Sequence, residues 1–387
     1  MKKEQHLSKG NYLFRGDRQI WIIVLVLMLI SIVEVYSTTA SLAYRIAGGD
    51  TEHYLLKQIL LLAFGGFAMF LVHMFPTGAY ARLVVPALLA MGIWLGATLV
   101  FGMEANSARR WTQVLGVTLQ PSDFVRIPLI LYIAITLAEK REQLKSFSYV
   151  LFPLVFAIGA ICVLILFANF STAVLVGLSC FILLMIGNIK WRYLLYVLLL
   201  AVGSLVAFIK LAPYFPFSTR VATWASRWDT FWNAGGDNFQ GLHAKIAIAN
   251  GLLWGKGPGN SMQRLVLPES YSDFIFASLV EEGGLILAII VMGLYIWLLF
   301  RIYAIMRASR KPYHTYLCAG FGILIVLQAF VHIAISIGWG PVTGLPLPLV
   351  SMGGSSVLAT CIELGMIQSV ARQQKKELYE GEVRDVA

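Results

Sequence analysis

The stretch LPESYSD at residues 267–273 runs without a break into FIFASLVEEGGLILAIIVMGLYIWLLFRIY at residues 274–303, and the second part decides the fold. About 20 mainly apolar residues in a helix cross roughly 30 Å of hydrocarbon. Residues 274–303 exceed that length with two adjacent carboxylates near the start and one arginine near the end. Hydrocarbon offers backbone polar groups no partner, so a segment of this kind spans as a helix. Working outward, the same criterion finds ten spans, at about residues 20–43, 55–75, 83–101, 124–138, 149–167, 171–186, 193–212, 274–303, 316–337 and 352–370. The fourth and sixth are short. Composition agrees: 58% of residues are hydrophobic, 13% are charged and the mean hydropathy is +0.76, outside the soluble globular class. The expectation is an all-α polytopic integral membrane protein of about ten transmembrane helices, with a large extracytoplasmic loop at about 213–273 between the seventh and eighth.

Lys and Arg are held on the cytoplasmic side during insertion. An even number of spans puts both termini on one side, and with that side cytoplasmic it collects nineteen of the thirty Lys and Arg residues. The net charge of +10 therefore reads as a topology signal and an attraction to anionic headgroups, not as a nucleic-acid footprint. The expected organisation is a cytoplasmic tail at 1–19, one membrane domain at 20–370 and a cytoplasmic tail at 371–387, because no loop is long enough for a soluble core. The first apolar segment exceeds a signal-peptide core and no small-residue cleavage pattern follows it, so it reads as a retained helix. Cys162, Cys180, Cys318 and Cys361 all lie in apolar segments, which points to packing. The six histidines show no zinc spacing.

The long loop has two parts. Trp224, Trp228 and Trp232 recur every four residues, one stripe of an interfacial helix, with Arg220 and Arg227 elsewhere around it. Then comes Asn250-Gly251-Leu252-Leu253-Trp254-Gly255-Lys256-Gly257-Pro258-Gly259-Asn260-Ser261. Its glycines allow positive φ and close approach of backbone amides to a ligand, or they are turn glycines around a solvated Lys256. The order of Gly, Lys and Ser excludes a Walker A loop. A second irregular stretch, residues 338–356, is rich in Pro and Gly and uncharged. Such backbone lies at membrane depth only when protein covers it or it lines a wet cavity; otherwise it is an outer loop.

Charges inside spans are costly, so Glu34, Lys57, Arg126 and Glu363 are expected to face the bundle interior or water. Asp123 and Arg126 share a helical face, with Ser122 as a possible cap, and form either a neutralising pair or a ligand site. Asp273, alone where the outer loop meets an apolar helix, is either a helix cap or a base. Glu281 and Glu282 lie two turns deeper.

Five segments together carry a resemblance: Arg110-Trp111, residues 119–126 (LQPSDFVR), residues 255–261 (GKGPGNS), residues 267–277 and residues 343–356. They resemble, collinearly from about Tyr36 to Val370, the signatures of the SEDS family, the membrane-embedded peptidoglycan glycosyltransferases of elongation, division and sporulation. The division branch is closer than the elongation branch, on residues 35–40 and 257–261. The resemblance implies polymerisation of lipid II at the outer face of the bacterial cytoplasmic membrane during septal wall synthesis. An acceptor hydroxyl attacks the donor's anomeric carbon and expels the lipid pyrophosphate. That reaction needs a base, cations for the leaving group and a groove for the polyprenyl tail. Asp273 matches the family's catalytic acidic position, where the base is expected. Lys256, Arg110 and Arg126 are the first candidates for substrate binding, followed by Asp123, Glu269, Arg264 and Arg220. Glu269 would orient Asp273, bind a divalent cation with it, or end a turn; no cofactor is certain. The implied partners are a class B penicillin-binding protein and other divisome or elongasome membrane proteins, with no nucleic acid. The competing readings are a flippase or transporter of the same precursor and a non-catalytic division scaffold. The chain also departs from the family. It reads Ala168-Asn169-Phe170-Ser171-Thr172 where Pro-Asp-Phe/Leu-Gly-Thr is usual, Asp123 for Glu, Arg126 for Lys, Met352 for Tyr and His332 for Asn.

Overall fold

The computed structural model describes residues 16–46, 51–105, 108–114, 117–140, 152–211, 218–233, 239–267 and 269–386. Among them are α1 (Arg18–Ile46), α2 (Thr51–Met74), α3 (Thr77–Phe101), β1 (Met103–Ala105), β2 (Ala108–Val114), β3 (Val117–Leu119), α4 (Pro121–Glu139), α5 (Phe152–Ala168), α6 (Phe170–Ile186) and α7 (Trp191–Leu211). Then follow α8 (Ser218–Asn233), α9 (Phe239–Gly251), α10 (Ile275–Ala308), α11 (Pro312–Ser336) and α12 (Gly354–Val386). Eight helices are long and apolar enough to cross a membrane, and α5 and α6 are shorter apolar helices. These ten coincide with the ten expected spans.

Local chemistry sets the helix starts. Asp17 Oδ1 accepts the backbone N–H of Gln19 at 2.9 Å and of Ile20 at 3.2 Å, capping α1. Pro121 and Pro312 open α4 and α11, where a missing N–H costs nothing. Asn169, which stands where the family usually has Asp, caps α6 by accepting from Ser171 N at 3.1 Å and Thr172 N at 3.4 Å. The bundle centre is α4, α11 and α12, which are buried around most of their circumference, whereas α3 and α7 leave most of their surface to lipid. Cys180, Cys318 and Cys361 are buried and Cys162 half-buried, all as free thiols.

The structure adds what apolar runs do not reveal. Strands β1, β2 and β3 form a small antiparallel sheet, with Glu104 opposite Arg109 and Thr112 opposite Leu119. They are too short and polar to register as spans. The outer loop contains two helices, α8 and α9, and α12 runs on past Val370 to Val386.

The largest difference lies inside α10, which is broken at Gly284 with φ 69° and ψ −174°. The glycine-rich turn after α9 fills the break. Lys256 N donates to Glu281 O and Gly257 N to Glu282 O, both at 2.9 Å, and Leu285 N donates to Leu252 O at 2.9 Å. The turn thus re-enters beside the helix and satisfies the backbone groups that the break releases. A Cβ on Gly284 would stand 2.3 Å from Leu253 O, in a backbone region open only to glycine. Gly284→Ala is expected to cost roughly 1–3 kcal/mol and to loosen the turn, read as increased proteolysis within residues 252–264.

Candidate functional site

Asp273 lies just before α10, on the turn that Glu269 closes. Glu269 has φ 57°, and its carbonyl accepts Ser272 N at 3.1 Å and Asp273 N at 3.0 Å. The Ser272 hydroxyl sits between the two carboxylates, 3.1 Å from Glu269 Oε2 and 3.2 Å from Asp273 Oδ1. The uncharged Pro/Gly loop seals the other side. Met352 N donates to Tyr271 O at 3.0 Å, the Ser351 hydroxyl to Ser272 O at 2.7 Å, and a Cβ on Gly344 would lie 3.2 Å from Asp273 Oδ2. That loop is covered by protein. His332 Nδ1 holds it at Leu345 O, 2.7 Å away, and Gln328 Nε2 holds it at Pro346 O, 2.8 Å away.

Phe274, the flanking residue of α10, has no side-chain cap, and the bond shown to the Asp273 carboxylate comes from Ser272. The capping reading therefore fails. Burial pushes the Asp273 carboxyl up to about 6 and Glu269 adds to the rise, while Ser272, Arg110 and Arg227 oppose it. Burial, Glu269, Asp273 and Tyr54 also push the Tyr271 phenol up to about 12, so it stays protonated beside the carboxylates. If the ionised Asp273 is the working form, activity falls as pH drops through about 6. Glu269→Gln removes a raising charge and is expected to move that acid limb to lower pH. A rate profile over pH checks both statements, and an unmoved limb would exclude Glu269 as a partner of Asp273.

Arg110 comes from β2. Period-two alternation sends its neighbour Arg109 away, to Val100 O at 2.6 Å, whereas Arg110 acts electrostatically on both Asp123 and Asp273. Its Nε is buried with no acceptor among the described residues. Arg227, on α8, donates to Val342 O at 3.0 Å and thereby ties that helix to the Pro/Gly loop. Of the tryptophan stripe, Trp224 packs on Phe170 at 4.6 Å, while Trp228 and Trp232 are exposed.

Several expected ligands have other partners. Arg126 pairs with Glu363 at 2.8 Å rather than with Asp123, both residues being buried, and its second nitrogen donates to Gln328 at 2.9 Å. Ser355 faces Asp123 instead. The neighbours three residues apart diverge because α12 brings a better placed carboxylate. Lys256 stays exposed to solvent but is paired: its ammonium lies 2.9 Å from Glu281 Oε1. Glu281 also accepts from Asn250, Ser261 and the backbone of Gln263. Arg264 donates to the Ser37 carbonyl and hydroxyl, both at 3.0 Å, and Ser37 donates to Glu282, which also accepts Gly259 N at 3.1 Å. Glu281 and Glu282 are thus reached by the turn itself, whose amides point into the fold and not at a ligand. Glu34 is buried one turn before Ser37, within electrostatic range of Glu282. Lys57 lies on the exposed face of α2, in its second turn, where a long side chain reaches the helix end. Arg220 belongs to α8, but its side chain lies outside the described residues. Among the described residues no three His, Cys, Asp or Glu side chains converge on a metal position; Glu269 and Asp273 supply two carboxylates.

The site therefore gathers one half-buried carboxylate, a second beside it and two arginines under a sealed loop. The family model described as cell cycle protein, for FtsW, RodA and SpoVE, matches residues 17–376. The chain is 32% identical over 364 residues to the probable peptidoglycan glycosyltransferase FtsW of Coxiella burnetii, covering 91% of this chain and 95% of that one. It is 35% identical over 362 residues to the protein of the same description from Halomonas elongata, covering 90% and 89%. In fold it resembles the Thermus thermophilus rod shape determining protein RodA, with a TM-score of 0.67 at 24% identity over 93% of this chain and 97% of that one. It also resembles a chain from work described as structural coordination of polymerization and crosslinking by a peptidoglycan synthase complex, with a TM-score of 0.73 at 24% identity over 93% and 98%. Motifs and helices thus agree with a match across nearly the whole sequence, and the chain belongs to the FtsW, RodA and SpoVE family of cell cycle proteins.

Proposed function

We propose that this chain is a peptidoglycan glycosyltransferase that polymerises lipid II on the outer face of the cytoplasmic membrane in septal wall synthesis, both termini being cytoplasmic. The observation that carries the reading is Asp273, held without a capping task in a half-buried notch between Ser272 and Gly344 with Arg110 and Arg227 in electrostatic range. Its carboxylate takes the proton of the acceptor hydroxyl as that oxygen attacks the donor sugar. Arg110, with a buried donor to spare, and Arg227 stabilise the charge that develops on the departing diphosphate. Lys256, Arg264 and Arg126 act one step back by holding the turn, α1 and α12 in place.

Crosslinking of the glycan falls to a partner, a class B penicillin-binding protein. The broken α10 favours a second reading, since discontinuous helices mark transporters. Purified chain with that partner in vesicles separates the two. Glycan strands forming from lipid II support the polymerase. Lipid II crossing the bilayer with no strand formed would replace it by the transporter.

A further inference from the structure

At the end of the bundle opposite Asp273, a cavity of about 220 Å³ opens among the start of α1, the end of α10 and the outer turns of α12, lined by Asp17, Arg301, Arg310, Gln374, Lys375 and Glu377. Most of the length of α10 lies between it and the candidate catalytic site. Among the described residues the charges around it are not balanced. Asp17 is engaged by Arg301, and its other oxygen caps α1. Glu377 is paired with Lys311 at 2.6 Å. Both acids therefore already hold a cation. On the basic side, Arg301 Nε is buried with no acceptor among the described residues. Lys375 uses one N–H on Gly16 O at 2.9 Å, and Arg310 is exposed at the rim. Gln374 is fixed by its bond to Ile305 O at 2.9 Å.

We propose that this cavity binds a phosphate group, with Arg310 and Lys375 as its ligands and the free Nε of Arg301 at its floor. In a bilayer the source is the phosphodiester of an anionic phospholipid in the adjoining leaflet, because the cavity lies at the membrane-edge turn of three spanning helices and carries surplus positive charge. Two excess cations with spare donors complement a single net-negative phosphodiester, and a zwitterionic headgroup brings its own ammonium into a place already positive. The bound headgroup links α1, α10 and α12 at the end remote from the chemistry and leaves the catalytic constellation untouched.

The test uses the full chain in nanodiscs of phosphatidylcholine, with or without a minor fraction of phosphatidylglycerol, and in detergent with inorganic phosphate. Native mass spectrometry of the wild type is expected to retain one phosphatidylglycerol, and that lipid to raise the unfolding midpoint. In Arg310→Gln/Lys375→Gln retention weakens roughly tenfold, about 1.4 kcal/mol, and the midpoint shift disappears. Arg310→Gln alone, at a side chain that makes no bond among the described residues, gives a smaller loss in the same direction and covers the case in which the double variant folds poorly. Arg82→Gln removes an exposed cation from α3 at the same end of the bundle and is expected to change neither readout. Protection of the wild type by inorganic phosphate alone, lost in the double variant, also supports the site and identifies a free anion as its ligand. Equal lipid retention by wild type and double variant, or an equal loss in Arg82→Gln, overturns the proposal in favour of diffuse surface attraction.

Discussion

Asp273→Ala is expected to lower lipid II polymerisation by at least about 10²-fold, within the 10²–10⁴ that a positioned general base contributes, while leaving the protein as stable as the wild type near neutral pH. The second half of that expectation separates catalysis from architecture. A carboxyl raised to about 6 by burial is one whose ionised form the fold disfavours, so above that pH its removal takes away an unfavourable charge. The one hydrogen bond shown to it, from Ser272 at 3.2 Å, has an alternative acceptor in Glu269 at 3.1 Å, so no buried donor is left stranded. Asp273→Asn keeps the volume but cannot take a proton, and should fail as completely as Asp273→Ala. Strand formation from lipid II followed on a gel, beside a melting curve in the same detergent, checks both statements. Either variant polymerising at the wild-type rate removes Asp273 from the mechanism; a loss of activity that tracks a fallen melting point makes it structural.

The ten spans were legible because apolar length is a one-dimensional signal, and what the structure adds, α8, α9 and the three strands, are elements that this signal cannot carry. Strands β1 to β3 are three to seven residues long. Helices α8 and α9 are amphipathic or mixed, and only the tryptophan spacing announced the first of them. Asp273, Glu269 and Arg110 were likewise legible, from family motifs whose residues meet in space. Partner choice was not. Lys256 read either as a substrate-binding cation or as a solvated lysine among turn glycines, yet Glu281, 25 positions later, pairs with it. The reason lies in the break at Gly284: two consecutive glycines inside a long apolar run gave no sign that a distant loop would supply their missing hydrogen bonds. Ser272, Ser351, Gly344 and Tyr271 were missed as neighbours of Asp273 for the same reason, since small and neutral side chains carry no signature until the loop folds onto them. Arg227 stood only beside the tryptophan stripe, and nothing in its sequence context placed it near the carboxylate.

The buried pair of Arg126 and Glu363 turns this difference between sequence and space into a measurement. The two side chains are 2% and 0% exposed and 2.8 Å apart, so removing either one leaves an uncompensated charge in a low-dielectric interior. Arg126→Met and Glu363→Met should each destabilise the protein by about 3–5 kcal/mol, and the double variant should recover most of that loss, because two apolar side chains of similar volume replace an ion pair that had to be desolvated. The sequence neighbour offers the control. Asp123→Asn removes the carboxylate that shares a helical face with Arg126, but Arg126 keeps Glu363 and the Gln328 oxygen at 2.9 Å, and the Asn oxygen can still accept from Ser355, so its cost should stay near about 1 kcal/mol. Unfolding free energies in bicelles, combined as double-variant cycles, give the coupling directly. A larger coupling of Arg126 to Asp123 than to Glu363 would restore the local pair and discard the one between α4 and α12. The second readout is activity. Gln328 also donates to Pro346 O, so Arg126 is linked through one side chain to the loop that presses on Asp273. The double variant, stable but lacking that link, should therefore polymerise more slowly than the wild type while its pH profile stays in place.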